Sequence, residues 1–507
     1  MKEISIRFSD YQQAVSMSVE QAELRLRRLV GHVPSNQSIL AATQILDQAP
    51  ETLAVRLILC KLYYQDGNFQ ALEEISGQGL YHHPLDEGLL QAHTLALRYR
   101  HAHGQACEIL AGALEEAPGA VALRHQLGLL KKEQGRLMEA REIFDDCIKK
   151  HRNFTEAYWS RADISADIPV AELREMEQLT ELEHNALGRA QLCYALGRGW
   201  EWYGETKQSF HWYSQGAAAR RTLFRHEAGQ ELRRLQQLSV KLSAQHFDTG
   251  CPTKPDWAAR LPVPVFICGF PRSGTSMLER LLAGHSQITP LGETLELARA
   301  SQSVLKEAGI SKEYPDWLPL LNEQQWQHIG EHYLQRITSR CSSGLCIDKM
   351  PANYKAIALI KKALPHARIL HTVREPIATI WGCFKQLFAD GQAFTYDLDE
   401  LTDTYLAYQH LMRFWHQHLP GQILDVSLAE LTQSTEQQLR KVLDHLSLPF
   451  EQTCVDLKGN RAVVATQSAA QLQEGIEERY IQGWRAFEPY LHGVSQRLSD
   501  WQGADSL

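Results

Sequence analysis

The chain lacks a C-x-x-C pair. Its ten cysteines are scattered over 507 residues, which removes the spacing on which zinc ribbons and dithiol redox sites depend. Cys60, Cys147 and Cys193 fall inside apolar helical patterns and are expected as small buried hydrophobes. Cys341 and Cys346 are the closest pair, and no His or Cys cluster stands beside them, so no metal is expected. A long apolar run is also missing: nothing approaches the roughly 20 apolar residues of a membrane span. Met1 to Ser18 carry Asp10 and several polar residues where a signal peptide would carry an apolar core, so a cytoplasmic protein is expected. Finally, there is no basic excess. With 52 Lys and Arg against 60 Asp and Glu, the formal net charge is -8, which argues against a nucleic-acid binder and confines any polyanion site to a small pocket. What is present, 44% apolar and 22% charged residues, suits a globular chain long enough for two or three domains.

Pro50, Pro84 and Pro118 recur every 34 residues, and Gly67 and Gly135 stand two such periods apart. That period predicts stacked helix hairpins. Small residues, Cys60, Thr94, Gly128 and Ala162, occupy the position where the two helices of a hairpin touch. A later unit with Gly197, Gly204, Ser209 and Tyr213 keeps the spacing, and Trp200, Trp202 and Trp212 are expected in its core. Gly250, Pro252, Pro255, Pro262 and Pro264 then crowd one stretch and mark a boundary. The predicted organisation is a helical repeat domain over 1–245, a linker over 246–262 and an α/β domain over 263–507. In the last, candidate strands at Val263 to Gly269, Gly344 to Ile347, Ala367 to Val373 and Gln422 to Val426 alternate with helical segments, which predicts a mostly parallel sheet covered on both faces.

The stretch V-F-I-C-G-F-P-R-S-G-T-S, Val265 to Ser276, is a buried strand emptying into a Gly-bounded loop and a helix, the layout of a phosphate cradle. The lysine of an ATP-type loop is missing. Gly274 is followed by Thr275 and Ser276, with Arg272 inside the loop, so the expected anion is not the γ-phosphate of a nucleoside triphosphate. Three further clusters follow: Glu293 in G-E-T, Asp348-Lys349-Met350-Pro351, and His371-Thr372-Val373-Arg374-Glu375-Pro376. Ligands bind at the carboxyl ends of parallel strands. Two arginines, a lysine, hydroxyls and one carboxylate suit group transfer from an anionic donor to a hydroxyl. The structural alternatives are strand-end ion pairs for Arg272 and Arg374, a helix cap for Glu293 and a solvated strand-end position for Lys349.

P-R-S-G-T-S, G-E-T with its Glu 21 residues after the Arg, D-K-M-P, and V-R-E-P with its Arg 25 residues after the Lys occur in one order. Together they resemble the sulfotransferases, most closely the bacterial class with N-terminal tetratricopeptide repeats and the tyrosylprotein sulfotransferases. The resemblance covers Val263 to Leu491 and, with the repeats, nearly the whole chain. It implies a tetratricopeptide-type solenoid followed by a P-loop-like α/β sulfotransferase domain that uses 3'-phosphoadenylyl sulfate (PAPS) and no metal. On this resemblance Arg272, Ser273, Gly274, Thr275 and Ser276 hold the 5'-phosphosulfate, and Arg374 the 3'-phosphate. Glu293 is the general base, Lys349 and Arg272 stabilise the transferring group, and Ser468 in Q-S-A-A-Q lies on the donor side. The repeats would recruit a peptide or protein acceptor, such as a tyrosine, or build a homodimer; a small-molecule acceptor is the alternative. Three positions depart from the family: Gly382 replaces a serine, Leu428 a tyrosine, and Gln473 a basic residue. These departures imply weaker donor contacts and set an interaction scaffold with an inactive transferase domain against the enzyme.

Overall fold

The computed structural model describes residues 3–8, 14–33, 35–100, 102–227, 229–242, 262–338, 340–341, 344–389, 392–456 and 482–504. The chain forms two compact units, Met1–Arg161 and Ala162–Leu507. The expected linker lies, except for Pro262, outside the described residues.

The first unit opens with an unanticipated antiparallel hairpin, β1 (Glu3–Ile6) and β2 (Val15–Ser18). Ile4, Ile6 and Phe8 join Ala41, Ala42 and Ile45 of the helix Ser35–Gln48 in one core. Helix hairpins follow, and the 34-residue period is visible in their helix starts at Leu53, Glu87, Val121 and Thr155. Gly67 and Gly135 turn between paired helices at φ of +60° and +82°, a conformation that costs glycine little. At the close-contact position a Cβ on Gly128 would lie 2.5 Å from the Phe144 ring. The ring of one helix therefore fills the space left by the missing side chain of the other. Neighbouring hairpins are also joined by polar contacts, as Glu133 accepts hydrogen bonds from Arg98 Nε at 2.8 and 2.9 Å and contacts His103 Nε2 at 3.1 Å.

The second unit begins with more helices of the same kind. Ala186–Trp202 and Thr206–Arg221 pair through Gly197, where a Cβ would lie 2.6 Å from Tyr213. Trp200 is buried as expected, but Trp202 is 54% exposed and does not belong to the core.

The sheet has five parallel strands: β3 (Val263–Gly269), β4 (Ile288–Gly292), β5 (Leu345–Lys349), β6 (Arg368–Val373) and β7 (Ile423–Ser427), in the order β4-β5-β3-β6-β7. Four match the expected strands to within two residues at each end, and β4 is an addition. β4 holds Pro290, which an edge strand tolerates because a ladder hydrogen bond is not required on its outer side. Val265, Ile267, Leu278, Leu281, Ile347, Leu370 and Leu439 form the apolar layer between sheet and helices. The helices Ala186–Trp202 and Thr206–Arg221 pack directly on this domain. Tyr194 donates to Phe384 O at 3.0 Å, Lys385 pairs with Glu201 at 2.6 Å, and Phe210 stacks near Trp381 and Tyr490.

The remaining cysteines divide. Cys60, Cys147, Cys193, Cys268, Cys383 and Cys454 are free and buried, as small hydrophobes are. Cys341 and Cys346, the closest pair in the sequence, instead form an unanticipated disulfide that ties the segment before β5 to the strand itself. Among the described residues no helix is long and apolar enough to cross a membrane.

Candidate functional site

β3 ends at Gly269, and the loop Phe270 to Gly274 leads into the helix Thr275–Leu282. Arg272 holds φ at +67° and Gly274 at +107°, so the chain reverses within a few residues and turns the first helical N–H groups toward the loop. Glycine is required at 269 by close approach: a Cβ there would meet Thr372 Oγ1 at 2.5 Å and Ser273 Oγ at 2.6 Å. Ser273 and Thr372 share a 2.7 Å hydrogen bond, which binds the loop to β6. Ser273, Thr275 and Ser276 are all buried.

β6 delivers Arg374 to the same loop. Its Nη1 donates to Arg272 O at 3.1 Å. Burial, and the Arg272 guanidinium beside it, pull Arg374 down to about 10. Two cations held together in a partly buried place favour an anion between or beside them. Gly382, on the helix Pro376–Phe384, lies against this pair, with its Cβ position 3.1 Å from Arg374 Nη1 and 3.5 Å from Arg272 Cβ. The glycine that replaces the family serine thus leaves room for the guanidinium.

On the other side of β3, Lys349 ends β5 and is completely buried (0% exposed), which overturns the solvated alternative. Its Nζ contacts Glu293 Oε1 at 2.6 Å and lies 3.8 Å from Glu279 Oε2. Glu293 follows Gly292 at the end of β4; the next helix starts only at Glu296, whose N–H is taken by Thr294. Its side chain is 44% exposed, so it faces outward from the buried lysine. Asp348, immediately before Lys349, is pushed up to about 7 by burial and accepts from Tyr333 at 3.1 Å and Asn353 at 3.2 Å.

The structure therefore gathers Arg272, Ser273, Gly274, Thr275, Ser276 and Arg374 around one loop, and Glu293 and Lys349 in one contact, all at the carboxyl ends of adjacent strands. Ser468 and Gln473 lie outside the described residues. Leu428 packs over the loop, 2.8 Å from the Cβ position of Gly274, so an apolar side chain covers the place of the family tyrosine.

Two features escaped sequence reading. Glu279, on the helix that follows the loop, belongs to none of the sequence motifs. His371, His416 and Asp425 also meet, with ligand-type atoms within 4.8 Å of one another. His371 Nδ1 and His416 Nε2 both bond the same Asp425 oxygen, at 2.7 and 3.0 Å, and His371 Nε2 bonds Tyr408. Two donors converging on one oxygen is a hydrogen-bond arrangement, which here pins β6 to β7 and to the helix Leu398–His418.

The match to a known family falls on this region. The sequence profile of the sulfotransferase family matches residues 264–452. An uncharacterized protein of Aquifex aeolicus is 29% identical over 248 residues, which make up 47% of this chain and 32% of that protein. The chain thus spans about a third of that relative's length. A putative protein-tyrosine sulfotransferase of Caenorhabditis briggsae is 22% identical over 248 residues, 46% of this chain and 85% of that one. Among solved structures, the sulfotransferase domain from the curacin biosynthetic pathway aligns with 48% of this chain and 99% of its own at 18% identity, with a TM-score of 0.33. The C-terminal half of the chain, across residues 264–452, carries a sulfotransferase family domain.

Proposed function

We propose that this protein transfers a sulfuryl group from PAPS to a hydroxyl. The observation that carries the reading is the 2.6 Å contact of Glu293 with the buried Lys349, at the strand ends that flank a lysine-free anion loop. A carboxylate exposed on one side and backed by a fixed cation is placed to take a proton from an incoming hydroxyl. The acceptor oxygen then bonds to sulfur, and the bond from sulfur to the 5'-phosphate oxygen breaks. Lys349 and Arg272 face the negative charge left on that phosphate. Arg374, beside Arg272 and pulled down by burial, is suited to the doubly charged 3'-phosphate. Cations already held in place do this work, so the reading assigns no metal.

The acceptor is proposed to be a peptide or protein hydroxyl, with tyrosine favoured by the name of the Caenorhabditis relative. Residues 1–245 are proposed as the recruiting domain, because stacked helix hairpins present long surfaces suited to extended chains.

Thermal unfolding without Mg2+ tests the donor assignment. A ligand at 100 times its Kd adds about 2.7 kcal/mol, or several °C at roughly 2–4 °C per kcal/mol. 3',5'-ADP is expected to stabilise selectively over 5'-ADP and ATP. No shift with 3',5'-ADP would overturn the enzyme and leave the scaffold. Transfer of labelled sulfate from PAPS to a tyrosine peptide, but not to a serine peptide or a simple sugar, then tests the acceptor.

A further inference from the structure

Glu279 belongs to none of the motifs that mark this half of the chain, yet it joins two of them. It is buried on the helix Thr275–Leu282. Its Oε1 accepts from the Gly292 N–H at 3.0 Å, one residue before Glu293, and its Oε2 lies 3.8 Å from Lys349 Nζ. The charged groups that face it are Lys349 and Asp348 from β5, Glu293 from the end of β4, and Arg340, which itself donates to Leu291 O at 2.6 Å. Burial raises its carboxyl, and Lys349 and the Gly292 N–H oppose that rise.

An ammonium removed from water costs several kcal/mol unless an anion opposes it. Lys349 is 0% exposed, and its near partner Glu293 is the group proposed to become neutral during the reaction. If Glu293 were the sole anion at hand, proton uptake would strand the lysine just as negative charge develops on the leaving phosphate. Two carboxylates around one ammonium avoid this: the local charge passes from -1 to 0, and the lysine keeps a counter-ion throughout.

We propose that Glu279 is a positioning residue that fixes the Glu293 turn through Gly292 and serves as the second counter-ion that holds Lys349 in place while Glu293 holds the acceptor proton. The inference rests on the sulfuryl-transfer reading above.

The test uses the full chain and 3',5'-ADP, whose 5'-phosphate Lys349 is proposed to face, with affinity measured from pH 7 to 10. In Glu293→Gln, Glu279 is the remaining close carboxylate. Adding Glu279→Gln there is expected to move the alkaline loss of affinity down by about one pH unit or more, since a facing carboxylate shifts ionisation by about that much. Glu279→Asp in the same background is expected to restore part of the range. Coincident profiles for Glu293→Gln and the double variant overturn the inference while leaving the donor site intact. If the double variant does not fold, Glu279→Gln alone is compared with the unaltered protein. A smaller shift in the same direction is then expected, and coincidence again overturns the inference. Failure of the unaltered protein to bind 3',5'-ADP at any pH is the separate outcome that removes the sulfuryl-transfer reading itself.

Discussion

Lys349 is a fully buried cation and Arg374 a partly buried one, and their different neighbours separate their expected roles. Lys349 lies among carboxylates, Arg374 beside a second arginine. Substituting Arg374 by Ala should weaken 3',5'-ADP roughly 10- to 100-fold, the range for losing a hydrogen bond to a charged group, while 5'-ADP binding holds. Titration calorimetry with both nucleotides checks this, and equal losses for the two would remove Arg374 from the 3'-phosphate. Glu293→Gln should leave 3',5'-ADP affinity at pH 7 unchanged and lower kcat by ~10² to 10⁴, as loss of a positioned base does. Retained turnover would return Glu293 to a structural role. Gly274 and Lys349 could be singled out in the sequence because loop and strand-end motifs are contiguous. Glu279 could not, because its partners lie 13 and 70 residues away, at Gly292 and Lys349, and only the fold brings them together.

At the level of elements, the 34-residue period read in the sequence recurs in the helix starts at Leu53, Glu87, Val121 and Thr155. Gly128 and Phe144 show how tight the contact within one such hairpin is. Phe144 is fully buried and lies against His125, so its ring cannot retreat from an added methyl group. Gly128→Ala should therefore destabilise the first unit by about 1–3 kcal/mol, the cost of overpacking, read by urea unfolding. A helix-propensity gain of about 1 kcal/mol works against this, so a stabilised variant would mean that the hairpin opens easily. β4 was illegible for the opposite reason: its five residues include Pro290, and an edge strand buried on few positions carries little pattern. The disulfide likewise had no readable signal, since five residues of separation between Cys341 and Cys346 fits no ligand spacing.

The contact of Glu133 with Arg98 and His103 adds a pH dependence to the same elements. Burial pushes the Glu133 carboxyl up, but the hydrogen bond to His103 and the Arg98 guanidinium outweigh it and leave the group below its ordinary value. A lowered folded value means that the stabilisation is complete above about pH 4.3, the ordinary carboxyl value, and is lost as the pH falls through the folded one. Glu133→Gln should cost about 1.5–3 kcal/mol at pH 7 by taking the carboxylate from the partly buried Arg98 guanidinium. It should also flatten the acid loss of stability below pH 4. Parallel acid curves for the two proteins would place that loss elsewhere.

For the molecule as a whole, the proline-rich stretch suggested that everything before residue 246 folds apart from the transferase domain, whereas compactness divides the chain at Arg161 and Ala162. The physical reason lies in what the helices Ala186–Trp202 and Thr206–Arg221 cover. Tyr194 caps the Phe384 carbonyl, Glu201 pairs with Lys385, Arg221 pairs with Glu400, and Phe210 and Tyr213 pack on Trp381. Trp381 and Phe384 sit on the helix that also carries Gly382 beside Arg374, so these contacts support the wall of the loop Phe270 to Gly274. A fragment beginning at Val263 would expose that wall and take Glu201 away from Lys385 and Arg221 away from Glu400. Such a fragment is expected to bind a hydrophobic dye and to lose its sharp thermal transition, as chains with secondary structure but loosened packing do. A fragment beginning at Ala162 keeps the covering helices and is expected to unfold cooperatively and to respond to 3',5'-ADP. If the shorter fragment melts as sharply and binds as well, the helices are an attachment to the transferase domain and not part of its fold.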